Sequence, residues 1–461
     1  MRYWNSRDGP VMTQLGEAIA RYHKILEQDR NRNTAWMGQL REQMQSRNLV
    51  VNGRPVSPVL RPHFVSRRQY SNLAATAEAL WSAMVRARAL ALSRPQIMAR
   101  MVMLPAEKML AALDPGYSLP EAASILEAEV NNGSLQLTAP QADMPHGVVY
   151  GEVLADLFYD APPVKEFRKR YKLAKPGSGK PLLASILRVW KDFGGTREPS
   201  IGILEFNQPF ATIESHESLL LAELMRSQGL TAEVVSPDQL DYRGGVLRRG
   251  DLAIDVVYRG VRAHDFLMRY DLTHPLVRAY RDRRVCVVNS FRTEMTRKRA
   301  MLALLSDDSL QELFPPAERK AIRDTIPWTR VVAPGKTTWQ GQTVDLVEFI
   351  LKNRPKLVLR PNEDSAELHS TDGLLTGDAG WERALGVALR HPFVVQERVE
   401  AHPVTFPVDN YGELDYRDLR VDVAPHTFLG KVRGCSSRLS AAPGGFSSLG
   451  GLAPTFILET R

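Results

Sequence analysis

Apolar positions recur at three- and four-residue spacing early in the chain. Leu15, Ala18, Ile19, Tyr22, Ile25 and Leu26 fall on one helical face, as do Leu73, Ala77, Leu80, Met84 and Ala87. The intervening NGRPVSPVLRPHF from Asn52 is broken by prolines and predicts a short extended or hairpin piece. Beyond residue 95 the pattern mixes. NNGSLQLTAP from Asn131 predicts a turn into a strand, and VVYGEVLADLFY from Val148 predicts a helix. KLAKPGSGKP from Lys172 reads as a basic loop. From 200 to 290, strand-like runs at Ser200, Thr231, Ile254 and Arg284 alternate with helical ones, such as that ended by Gly229. A Gly-Gly turn after Arg243 predicts a small hairpin. This alternation predicts a parallel or mixed sheet covered by helices.

The last third has its own order. KLVLRPNED from Lys356 reads as a strand running into a loop, and WERALGVALR from Trp381 as an amphipathic helix. FVVQERV from Phe393 reads as a second strand, and Arg420 to Leu439 as a closing strand pair. Linkers are expected at 192–200 and 307–316, dividing the chain into regions 1–95, 96–195, 196–290 and 291–461.

A length of 461 residues implies two or three domains. No run of about 18 apolar residues occurs, so no transmembrane helix or membrane partner is expected. The first residues lack the apolar segment of a signal peptide. Cys286 and Cys435 offer neither a disulfide framework nor metal spacing, which fits a cytoplasmic protein. The net charge of +8 admits anionic partners. Its densest groups, KEFRKRYK from Lys165 and RAYRDRR from Arg278, carry interspersed acidic and apolar residues, as solvated helix faces do. No nucleic-acid partner is expected. The loop after Lys172 fails as a phosphate-binding P-loop, because Ala174 replaces its first glycine and Pro181 its Ser or Thr. Paired metal-binding histidines, a G-x-S-x-G elbow and a cysteine beside a base are likewise missing from the sequence.

A basic residue on a strand, a loop, a helix, then a strand bearing Gln-Glu is the layout of an ATP-clamping lobe. It resembles the ATP-grasp fold in the circularly permuted form of glutathionylspermidine-synthase-like proteins. The resemblance implies an α/β protein with α+β lobes: a helical N-terminal region (1–95), a permuted segment carrying a metal-binding strand near 125–147 (96–195), a Rossmann-like pre-ATP-grasp domain (196–290), and the nucleotide lobe with its closing strands (291–461). It implies ATP and Mg2+, and a ligase that joins a small-molecule carboxylate to an amine through an acyl phosphate. By position, Arg299 and Arg360 take the places of two phosphate-binding lysines, and Arg438, in Ser-Arg-Leu-Ser, would hold the transferring phosphoryl group. Lys298, Lys356, Gln396, Glu397 and Lys431 would complete the nucleotide site. Glu127, Gln141, Asp143 and Asp422 would hold magnesium.

The sequence also departs from the family pattern. Ala139 stands where a metal-binding Glu is usual, Gln141 replaces Asn, and Ile125 replaces Arg. The usual loop glycines are displaced to Gly373, with Ser365 and Ala366 in their stead. Alanine supplies no ligand, and a planar guanidinium is not a compact ammonium. The alternative is a degenerate relative that binds a nucleotide or a protein without turnover.

Overall fold

The computed structural model describes residues 13–28, 30–131, 134–142, 146–207, 216–364, 367–400, 402–441 and 450–459. An eight-stranded sheet forms its centre. Its main path runs His63–Ser66, Gly451–Leu458, Lys431–Ala441, Glu413–Phe428, Ser124–Asn131 and Ser134–Gln141. Val404–Asn410 adds to Glu413–Phe428, and Leu173–Ala174 to Gly451–Leu458. All these pairings are antiparallel except that of His63–Ser66 with Gly451–Leu458. The sheet therefore joins strands from near both ends of the chain to the hairpin expected to carry metal ligands.

The predicted apolar stripe at Leu73 lies on the helix Arg67–Ser93 and is buried along Leu73, Ala77, Leu80, Met84 and Ala87. Ser66 and Gln69 form its capping box, with the Gln69 N–H donating to Ser66 Oγ at 3.2 Å and the Ser66 N–H to Gln69 Oε1 at 2.7 Å. The helix ends before Pro95, whose ring disfavours helical backbone at Arg94.

Two smaller sheets flank the large one. Cys286–Val288, Val256–Arg259, Ser200–Leu204 and Thr231–Val235 pair in that order, all in parallel. Most of their side chains are apolar, as in a sheet covered on both faces. The other is antiparallel, ordered Thr329–Val331, Phe393–Glu397, Leu357–Pro361, Thr371–Asp372. The helices Leu346–Lys352 and Asp378–Ala388 cover it. Phe349, Ile350, Trp381 and Leu385 meet Leu357, Leu359, Phe393 and Val395 in one cluster. Alternation then sends Arg360 away from that core.

Two short helices flank Arg299. Glu294–Arg297 ends at Lys298, whose extended backbone (ψ 134°) breaks it, and Ala300–Leu305 starts again after Arg299. The expected linker 307–316 holds a 3-10 turn, Asp308–Leu313, before the helix Pro316–Thr325. Among the described residues, no helix is long and apolar enough to cross a membrane.

Gly373 serves packing, not phosphate approach. A Cβ there would lie 2.0 Å from the Arg354 carbonyl oxygen and 2.8 Å from that of Leu357. Gly373→Ala is therefore expected to destabilise the fold by about 1–3 kcal/mol, read as a lower urea midpoint with an unchanged slope.

Candidate functional site

A cavity of about 350 Å3 opens between the eight-stranded sheet and the 357–361 strand with its following loop. Five arginines (297, 299, 360, 420, 438) and five carboxylates (Glu127, Glu129, Glu363, Asp364, Asp422) line it, with Gln141, Pro140 and Ser440. Strand alternation explains the sheet side. Leu419, Val421, Val423 and Leu439 pack into an apolar cluster with Phe406 and Ala453, so Arg420, Asp422, Arg438 and Ser440 face the opposite way. Across the strands, Asp422 stands opposite Arg438 on one side and Glu129 on the other. The pairing of Ser124–Asn131 with Ser134–Gln141 slips between Glu127 and Ala128, a bulge of the kind that re-aims side chains.

Most of these charges are already matched. Arg438 Nη1 lies 2.9 Å from Glu127 Oε1, which also accepts from Gln141 Nε2 at 2.6 Å. Arg420 pairs with Glu129. Arg299 Nη2 reaches Asp364 Oδ1 at 2.7 Å, and its Nη1 donates to the Pro361 carbonyl at 2.9 Å. Arg297 stands 3.7 Å from both Glu363 and Asp364. Arg360 differs in having no carboxylate within ion-pair distance among the described residues; like Arg299 Nε and Arg297 Nη1, its buried Nε has no hydrogen-bond partner. Burial, and then Arg299, hold its guanidinium below the usual arginine range. Asp422 is its acidic counterpart, with a buried, unpartnered Oδ1. Burial first, then Glu129 and Glu127, push its carboxyl up to about 6, against the pull of Arg420 and Arg438. Burial also raises Glu127, which Arg438 opposes.

Of the residues singled out from sequence, the fold brings Arg299, Arg360, Arg438, Glu127, Gln141 and Asp422 to this one cavity. Asp143 lies outside the described residues. Arg297, Arg420, Glu129, Glu363 and Asp364 were not anticipated. Arg420 and Glu129 could have been, because each sits two residues from a predicted one on the same strand face.

The other five do not line this cavity. Lys298 is buried, and its Nζ meets Glu294 at 2.7 Å, Glu107 at 2.8 Å and Glu363. Burial would lower its pKa, but those carboxylates together raise it. Lys431 pairs with Glu78 at 2.8 Å. It sits seven residues along its strand from Arg438, roughly 23 Å away at strand rise. Gln396 is buried and donates to Thr329 Oγ1 at 3.1 Å. Glu397 has the parity of Phe393 and Val395, on the helix-covered face. Burial raises its carboxyl, while the Trp328 backbone contact and then Lys356 pull it down. Lys356 is exposed, just before its strand, outside the cavity lining.

Glu127 and Asp422, the described carboxylates among the expected magnesium ligands, belong to no group of three acidic or histidine ligands. Among the described residues, one acidic or histidine group has ligand atoms all within 4.8 Å: Glu107, His264 and Glu363. The Lys298 ammonium already bonds two of these three residues and supplies the cation they need.

By sequence, the chain matches no family model and no curated protein. By structure, it is similar to a glutathione synthetase-like effector from Globodera pallida, with a TM-score of 0.60 at 11% identity, over 93% of this chain and 98% of that one. A putative γ-glutamylcysteine synthetase from Methylobacillus flagellatus aligns at a TM-score of 0.40 and 11% identity, over 86% and 88%. The ATP-grasp ligase PsnB, complexed with a minimal precursor, aligns at 0.28 and 12%, over 57% and 89%. The last two scores are too low to carry weight. The fold is similar to that of the glutathione synthetase-like effector.

Two outcomes follow. Lys298→Met would strand three buried carboxylates, so a loss of about 3–5 kcal/mol is expected in urea unfolding. Asp422, with its carboxyl raised above the unfolded value of 3.8, makes the fold less stable as pH rises from about 4 through about 6. Asp422→Asn should therefore stabilise the unliganded protein by on the order of 1–2 kcal/mol at pH 7 and by nothing near pH 3.5, measured as melting temperature against pH.

Proposed function

We propose that the cavity is the nucleotide site of an ATP-dependent carboxylate–amine ligase with a circularly permuted ATP-grasp chain. The single observation that carries this is Arg360, a cation at the end of its strand, turned into the cavity and left without a partner. A half-buried guanidinium without an anion is costly, and a phosphate group has the geometry to satisfy it. The permuted order is supported by the 124–141 hairpin, which precedes the nucleotide lobe in sequence yet pairs with the strand Glu413–Phe428.

The donor set suits a metal nucleotide. Asp422 and Glu129 each keep a buried carboxylate oxygen without a hydrogen bond, and magnesium takes such hard oxygens. These two residues would hold the ion. ATP and magnesium would supply the phosphoryl group that activates a carboxylate for attack by an amine. Arg360 and Arg299 would bind phosphate oxygens, and Arg438, 44% exposed, would reach the group being transferred. The acidic sheet face would orient a small-molecule amine. Catalysis would then rest on positioning and charge neutralisation.

A second reading, binding without turnover, is favoured by one feature. Four of the five arginines already have carboxylate partners, and Ala139 contributes no ligand.

ATP with Mg2+ is expected to raise the melting temperature, and ADP to be released with pooled amino acids, peptides and polyamines. Arg360→Ala should weaken ATP binding by about 10- to 100-fold, the worth of a charged hydrogen bond. Stabilisation by ATP regardless of metal, with no ADP, would select the second reading. No response to ATP at all would overturn both.

A further inference from the structure

The acid–base pairs in the cavity are not equivalent. Glu127, Glu129 and Glu363 have side chains only 11%, 9% and 9% exposed. An incoming anion that took their arginines would leave each of them as an uncompensated buried charge. Asp364 is the exception. Its side chain is 59% exposed, while that of its partner Arg299 is 10% exposed. The base is fixed from behind by the Pro361 carbonyl at 2.9 Å. The acid can turn into solvent at little cost, and Arg299 cannot follow it.

We propose that Asp364 is a built-in stand-in for a phosphate group. Its carboxylate occupies the seat that Arg299 and Arg297 present to the cavity, and a bound anion must displace it. One oxygen lies 2.7 Å from Arg299 Nη2 and the other 3.7 Å from Arg297 Nη2, so a single carboxylate spans both cations. A tetrahedral phosphate offers the same pair of oxygens with more charge. The backbone need not move: the Asp364 carbonyl is held by Arg262 Nη1 at 2.8 Å, and Arg262 is itself tied to Asp265. Only the side chain changes partners. The chain thereby keeps its arginines neutralised when empty and sets a threshold on the charge of what it admits. Monoanions compete poorly with a carboxylate already in place, and polyphosphates compete well.

This inference rests on the cavity being an anion site, and the test separates the two. Inorganic tripolyphosphate and ATP would be titrated calorimetrically into wild type, Asp364→Asn, Asp364→Glu and Arg360→Ala, without metal. Asp364→Asn is expected to bind tripolyphosphate about 5- to 10-fold more tightly, and Asp364→Glu within about 2-fold of wild type, since removing one close like charge is worth about 1 kcal/mol. A gain in affinity cannot come from structural damage. Asp364→Ser provides the same readout if the Asn variant melts early. If wild type binds and Arg360→Ala weakens it, but neither neutral variant binds more tightly, the stand-in role is wrong and the anion site remains. If neither wild type nor the neutral variants bind, both ideas are wrong.

Discussion

The organising constraint is the neutralisation of charge in a half-dry space. Five arginines enter one cavity, and an arginine taken out of water is unfavourable unless something anionic meets it. Glutamates on the central sheet meet two, and the loop after Arg360 supplies acids for two more. Arg360 and Asp422 remain unmatched, on opposite sides of the cavity. The protein therefore does not present a basic funnel. The cavity's charges are largely balanced, with one arginine and one aspartate left outside any ion pair among the described residues.

This arrangement of charges depends on the long antiparallel sheet. Asp422 faces both Glu129 and Arg438 because three strands, two of them some three hundred residues further along the chain, align in register. A slip of one residue in any of them would turn its charges into the apolar layer beneath. That layer, with Leu419, Val421, Val423 and Leu439, fixes the register and so fixes the charges. Site geometry and core packing are two faces of the same strands.

Period and punctuation made the elements legible. The Leu73 stripe, the alternating 200–290 region and the strand carrying Arg360 all follow from spacing and from Gly and Pro positions. Arg299, Arg360, Arg438, Glu127, Gln141 and Asp422 were named together from motif order, and they line one cavity. Partner choice was not legible. Lys298 sits beside Arg299 in sequence, but the backbone break between two short helices turns it into a pocket of Glu107, Glu294 and Glu363, which come from three different segments. Lys431 shares a strand with Arg438, but strand rise carries it far from the cavity. Gln396 has the expected strand but finds Thr329 on the neighbouring one. Apart from the i,i+4 pair of Glu294 with Lys298, these are tertiary pairings that no local pattern encodes.

The choice of cation at each position then has a physical logic. Lys298 faces three carboxylates converging on one point, and a compact ammonium with three donors fits that arrangement. Arg299 must reach a backbone carbonyl behind it and a carboxylate before it, at 2.9 and 2.7 Å. A planar fork can do both at once, whereas a point charge would surrender one. Arginine at 299 is thus matched to a loop that brings its own acid into the cavity, and the two features reinforce each other. A lysine there would free the seat but lose the anchor. Arg360, which also lines the cavity, carries no such internal partner.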